Sequence, residues 1–101
     1  MLVLGKNMKT ARAHVTIEGL VQGVFFRART RDAAADFGVK GWVRNNPNGT
    51  VEAVFEGKED AVKKAVEWCK KGPPEARVEN MDVRWEGFKN EFSGFLIRYR
   101  D

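Results

Sequence analysis

A chain of 101 residues, 43% hydrophobic and 11% aromatic, has apolar material for one small core and excludes a multidomain protein. With 18 Lys or Arg against 14 Asp or Glu the formal charge is +4, which suits anionic partners from phosphorylated metabolites to nucleic acid. The single cysteine, Cys69, excludes an intramolecular disulfide or a paired-thiol site, and the single histidine, His14, argues against a His-based metal cage; no apolar run approaches a membrane span or a secretory signal core, so a cytoplasmic domain is expected.

Residues 1–10 show no usable hydrophobic period and carry Gly5 and Asn7; they read as a flexible leader, with Met8 as an alternative start, ahead of one domain over 11–101. Across residues 12–18, Ala13, Val15 and Ile17 alternate with Arg12, His14, Thr16 and Glu18, the period of a half-buried strand with His14 as a solvated imidazole on its polar face. Gly19 and Gly23 then bracket Leu20, Val21 and Gln22 in a strand-to-helix loop. Phe26, Thr30, Ala33, Ala34 and Phe37 recur at helical spacing with Arg27, Arg31, Asp32 and Asp36 between them, which predicts an amphipathic helix stopped by Gly38.

Residues 39–44 and 51–56 are short β-prone runs joined by Asn45-Asn46-Pro47-Asn48-Gly49, a hairpin signal. A second helix opens at Glu59-Asp60, lines its inner side with Ala61, Val62, Ala65, Val66, Trp68 and Cys69, and closes on Lys70-Lys71 before Gly72-Pro73-Pro74. Cys69 is expected as a packed thiol, and Lys58, Lys63, Lys64, Lys70 and Lys71 as a solvated face. Residues 77–86 alternate Val78, Asn80, Asp82 and Arg84 with Glu79, Met81, Val83 and Trp85; residues 87–91 read as a plain connector, and 95–99 as a last strand. The order β-α-β-β-α-β-β predicts an α+β ferredoxin-like sandwich: two helices packed on one face of an antiparallel-rich sheet of four to five strands, βαββαβ plus an edge strand. Trp42, Trp68 and Trp85 are expected to fill the core or its rim.

Chemistry concentrates at three places. A short loop running into a helix N-terminus points backbone N–H groups into one hollow, where the helix dipole also favours an anion such as phosphate. Arg27, within a turn of that loop, carries a planar guanidinium that grips two phosphate oxygens and stays charged at every working pH. Asn45 ends the second strand. These hints leave bland readings open, because a first-turn Arg is commonly just solvated and an Asn before a turn commonly just caps it. The loop also lacks the Lys-Ser/Thr ending of a nucleotide-binding loop.

Whole segments say more. Gly19-Leu20-Val21-Gln22-Gly23-Val24-Phe25-Phe26-Arg27 and Gly41-Trp42-Val43-Arg44-Asn45-Asn46-Pro47-Asn48-Gly49 resemble the two signature motifs of the acylphosphatase family, in matching spacing. Gly38-Val39, Gly72-Pro73-Pro74 with Ala76 and Val78, and the closing Phe95-x-Ile97-Arg98-Tyr99 extend the likeness from about Arg12 to Tyr99. The resemblance implies a ferredoxin-like enzyme that hydrolyses the carboxyl–phosphate bond of small acyl phosphates. It implies a phosphate-binding loop of Leu20, Val21, Gln22, Gly23 and Val24, a phosphate-gripping Arg27, and Asn45 as the residue that orients the attacking water. Leu20 departs from the family's usual Gly-Arg-Val-Gln-Gly opening, which alters local charge and leaves the backbone amide in place.

The expected ligands are an acyl phosphate and inorganic phosphate or sulfate, with no metal, cofactor, nucleic acid or membrane, and the chain is expected to be a monomer. Acetyl, carbamoyl and phosphoglyceroyl phosphate all stay open. A nucleic-acid-binding module of the same fold is the main alternative, but the third strand carries Glu52 and Glu56 where the RNA-recognition run would lie. A non-catalytic regulatory domain, as at the head of a larger hydrogenase-maturation carbamoyltransferase, is the other; with nothing after Asp101, a free-standing enzyme is expected.

Overall fold

Alternation along the first strand decides which way the sheet faces. The computed structural model describes residues 9–99, and within β1 (Thr10–Leu20) the side chains of Ala13, Val15 and Ile17 are fully buried while His14, Thr16 and Glu18 turn to the other side. Thr10 thus already belongs to the sheet; residues 1–8 of the segment read as leader lie outside the described residues. There follow α1 (Phe26–Phe37), β2 (Lys40–Asn45), β3 (Val51–Lys58), α2 (Glu59–Lys71), β4 (Arg77–Glu86) and β5 (Phe95–Arg98). Among the described residues the five strands lie in the order β4-β1-β3-β2-β5, antiparallel except for the parallel pair of β2 and β5.

Both helices cover one face, α1 over β2 and β5 and α2 over β1, β3 and β4, so the expected ferredoxin-like sandwich is the fold observed. Phe26, Thr30 and Ala34 form the buried stripe of α1, and the Thr30 hydroxyl donates to the Phe26 carbonyl at 2.7 Å, so that buried hydroxyl is satisfied within its own helix. Val62, Ala65, Val66 and Cys69 form that of α2, where burial pushes the Cys69 thiol pKa up. These stripes meet Val43, Val51, Ala53 and Phe55 of the sheet. Each large apolar side chain so buried contributes roughly 1.5–3 kcal/mol. Phe95 stacks on Phe55 at 5.6 Å, tying the short edge strand β5 to the core.

Strand β4 departs from strict alternation. Glu18 pairs with Asn80 but Gly19 with Val78, so Glu79 is an extra residue, and Val78 joins Met81 and Val83 on the core face instead of opposing them. Gly19 makes this bulge possible, since a Cβ there would overlap the Arg77 carbonyl oxygen. Trp85 is 51% exposed and fills no core, whereas Trp68 meets Phe26 edge-on and Trp42 lies on the helix-free face between the guanidiniums of Arg44 and Arg98. His14 is not a free imidazole: it is bonded to Glu52 and lies edge-on to Trp42.

The segment read as a plain connector is wrapped around a buried carboxylate. Glu56 is only 2% exposed, and its oxygens accept from the amides of Lys89 at 2.6 Å, Asn90 at 3.2 Å and Glu91 at 3.2 Å. Arg12 adds ion pairs to Glu56 at 3.1 Å, Glu86 at 2.9 Å and Glu91 at 2.7 Å. Burial alone would raise the Glu56 carboxyl, but the Lys89 amide, Arg12 and the Glu91 amide outweigh it and hold the group below its ordinary value of 4.5. As pH falls, the unfolded chain therefore takes up this proton before the folded one does. Stability from the cluster is full above the unfolded value and is lost as pH falls through the lower folded value. Urea denaturation should show stability declining below about pH 4.5. Glu56→Ala should cost about 3–5 kcal/mol at neutral pH, because Arg12 and the connector amides lose a buried partner.

Candidate active site

The loop from β1 to α1 is shaped by backbone of alternating hand. Gly23 (φ 76°) and Phe25 (φ 63°) are left-handed and the intervening Val24 is not, and an alternation of hand is the backbone pattern on which anion-binding nests are built. The helix that follows begins without a side-chain cap and without an acid in its first turn. Helix α2 differs, with Glu59 and Asp60 at its start. The positive end of the α1 dipole is therefore uncompensated by side chains of its own first turn.

Topology brings two strand ends to the same spot. Because β2 and β5 run parallel, with Arg44 beside Arg98, they deliver Asn45 and Tyr99 together beneath the start of α1. The result is a hollow of about 250 Å³ whose walls include Val21, Gly23, Phe25, Arg27, Asn45 and Tyr99. No carboxylate lines it, and Arg27 is its one charged side chain among the described residues. The Arg27 guanidinium lies 5.0 Å from the centre of the Tyr99 ring. Such stacking uses the face of the guanidinium and leaves its N–H edges for oxygen acceptors.

The Asn45 carboxamide oxygen is buried and has no hydrogen-bond partner among the described residues. Its neighbours are not in that state. Asn46 Nδ2 donates to the Thr50 hydroxyl at 3.0 Å, and Asn48 Oδ1 accepts from the Thr50 amide and hydroxyl, so the β2–β3 turn is closed without Asn45. A capping role for Asn45 is thereby removed. An orphaned buried acceptor costs roughly 1–3 kcal/mol, and the residue that carries it is part of the wall of the hollow.

Of the expected site residues, Val21, Gly23, Arg27 and Asn45 converge on the hollow. The other three lie around it. Leu20 stands at the end of β1 opposite Arg77 with its side chain exposed, and Val24 packs against the core. Gln22 reaches sideways: its Nε2 donates to the Asn46 carbonyl at 2.8 Å and the Thr50 carbonyl at 2.9 Å, stapling the loop to the turn beyond Asn45. Phe25, Ile97 and Tyr99 also line the hollow, although only the loop, Arg27 and Asn45 were expected to. Phe25 lies inside the first motif and Tyr99 ends the last strand run, so both were visible as residues; their convergence depends on the parallel pairing of β5.

Residues 13–97 match the family model described as Acylphosphatase. The chain belongs to the acylphosphatase family. It is 54% identical over 92 residues to an acylphosphatase of Pelotomaculum thermopropionicum, covering 91% of this chain and all of that one. The solved structure of an acylphosphatase from Coxiella burnetii superposes with a TM-score of 0.84 at 36% identity, over 95% of this chain and 100% of that one. A full-length HypF structure matches with a TM-score of 0.81 at 27% identity over 93% of this chain but 12% of its own, so the same sandwich also serves as a module of a far longer protein.

The Gln22 staple fixes how far the loop amides stand from Asn45. Gln22→Ala should lower stability by about 1–2 kcal/mol in urea. It should also speed amide exchange across residues 21–25 while leaving the centre of β1 protected.

Proposed function

We propose that the hollow hydrolyses acyl phosphates, holding the PO3 group on the amides of Leu20, Val21, Gln22, Gly23 and Val24 and on Arg27, with Asn45 aiming the attacking water. The observation that carries this reading is that Asn45, whose buried side-chain oxygen has no partner among the described residues, shares with Arg27 the wall of a hollow that otherwise offers one cation and no anion. Water oxygen bonds to phosphorus as the bond from phosphorus to the carboxyl oxygen breaks, and that electron pair leaves with the carboxylate. An uncharged amide cannot take the water proton, so it passes to a phosphate oxygen, giving carboxylate and inorganic phosphate. Because the leaving carboxylate has a conjugate acid of pKa about 4–5, no general acid is needed. The transition state spreads charge over the equatorial oxygens, so orientation and N–H donors supply most of the catalysis.

We read the chain as a cytoplasmic monomer acting on a small molecule and not on nucleic acid. The helix-free sheet face supports the last point: Glu52, Glu56, Glu86 and Glu91 occupy it as the partners of Arg12, His14 and Arg44. Cations engaged in this way are not free to neutralise a phosphate backbone. No helix among the described residues is long and apolar enough to cross a membrane.

Phosphate release from a synthetic acyl phosphate tests the roles. Arg27→Ala should lower kcat/KM by about a hundred- to a thousandfold and weaken competitive inhibition by inorganic phosphate. Asn45→Ala should lower kcat by a similar factor with that inhibition retained, while stability stays within about 1 kcal/mol of the wild type or rises, since a stranded acceptor is removed. Wild-type turnover in Asn45→Ala would refute the water-aiming role. A chelator should leave the rate unchanged.

A further inference from the structure

Two aromatic side chains at the active-site hollow do no work in the core. Phe25 is 71% exposed and Tyr99 73% exposed, yet both line the hollow that holds Arg27 and Asn45. Residues mostly in solvent that still line a concavity form its rim. Phe25 is also held in the left-handed region at φ 63°, a conformation unfavourable for an aromatic residue, so the fold spends free energy to place this ring outside. Tyr99 is fixed differently, by stacking on the Arg27 guanidinium at 5.0 Å.

In-line displacement decides what meets this rim. If water is held at Asn45, the leaving carboxylate stands on the opposite side of phosphorus, and its acyl chain points away from the floor toward the mouth. The walls there offer Phe25, Tyr99 and Ile97, with no lysine and no carboxylate; Arg27 is the one charge, and on the proposed reading it is taken up by the phosphoryl oxygens. We propose that the Phe25–Tyr99 rim is the acyl-recognition surface, and that it selects acyl phosphates with bulky apolar acyl groups over small or anionic ones. This rests on the reading of the hollow as an acyl phosphate site.

The acyl selectivity is read by comparing cyclohexanecarbonyl phosphate with acetyl phosphate. Their leaving carboxylates are close in basicity, so the ratio of kcat/KM reports contact with the acyl group rather than intrinsic reactivity. The wild type should favour the ring-bearing substrate by about tenfold or more. Phe25→Asn removes the ring and keeps a residue at home in the left-handed region, and it should bring the ratio to within about threefold of unity; Phe25→Gly should do the same by the same logic. Phe25→Tyr, which retains a ring, should preserve the preference. A wild-type ratio near unity, or a ratio unmoved by Phe25→Asn and Phe25→Gly, would overturn the rim assignment while leaving phosphoryl hydrolysis intact. Failure to hydrolyse either substrate would overturn the underlying reading, and the rim assignment with it.

Discussion

At the start of α1 the chain gathers positive charge that side chains of that first turn do not answer. The helix has no capping side chain and no first-turn acid, and Arg27 stands in that turn beside a hollow free of carboxylates among the described residues. Folding such an arrangement costs stability unless an anion shares the space. The rest of the site follows from where that charge sits. Gln22 pins the loop to the β2–β3 turn, and the parallel pairing of β2 with β5 sets Asn45 and Tyr99 beneath Arg27.

The opposite face of the sheet serves a different purpose. There Arg12 is held among Glu56, Glu86 and Glu91, and His14 and Arg44 on Glu52. Glu56 in particular gathers the connector amides that lead the chain from β4 into β5. Since β5 carries Ile97 and leads into Tyr99, the buried carboxylate on one face helps set the far wall of the hollow on the other. Arg12, His14 and Arg44 on the helix-free face are each paired with carboxylates, while no carboxylate lines the hollow at the α1 end among the described residues.

Much of this was legible in the residues. Strict alternation of Ala13, Val15 and Ile17 and the helical recurrence of Phe26, Thr30 and Ala34 placed the core correctly, because each pattern is local and each element buries one face. Arg27 and Asn45 were legible only through long motifs, since one Arg and one Asn carry no signal of their own. What escaped depended on distant partners. The role of residues 87–91 required Glu56 to be buried beneath them, the pairing of His14 required Glu52 across the sheet, and the parity of Val78 required a bulge whose cause lies at Gly19. Phe25 was read as part of a motif, and its exposure follows from a left-handed backbone that no hydrophobic pattern encodes.

The most direct test is a crystal structure of the protein grown with tetrafluoroaluminate and acetate, a planar mimic of the phosphoryl group in flight with its leaving carboxylate. The account predicts equatorial fluorines about 2.7–3.1 Å from the loop amides and the Arg27 guanidinium. An apical water should lie about 2.7–3.0 Å from Asn45 Oδ1, with acetate on the opposite apex. A mimic bound elsewhere, or bound in the hollow with its apical water turned away from Asn45, would contradict it.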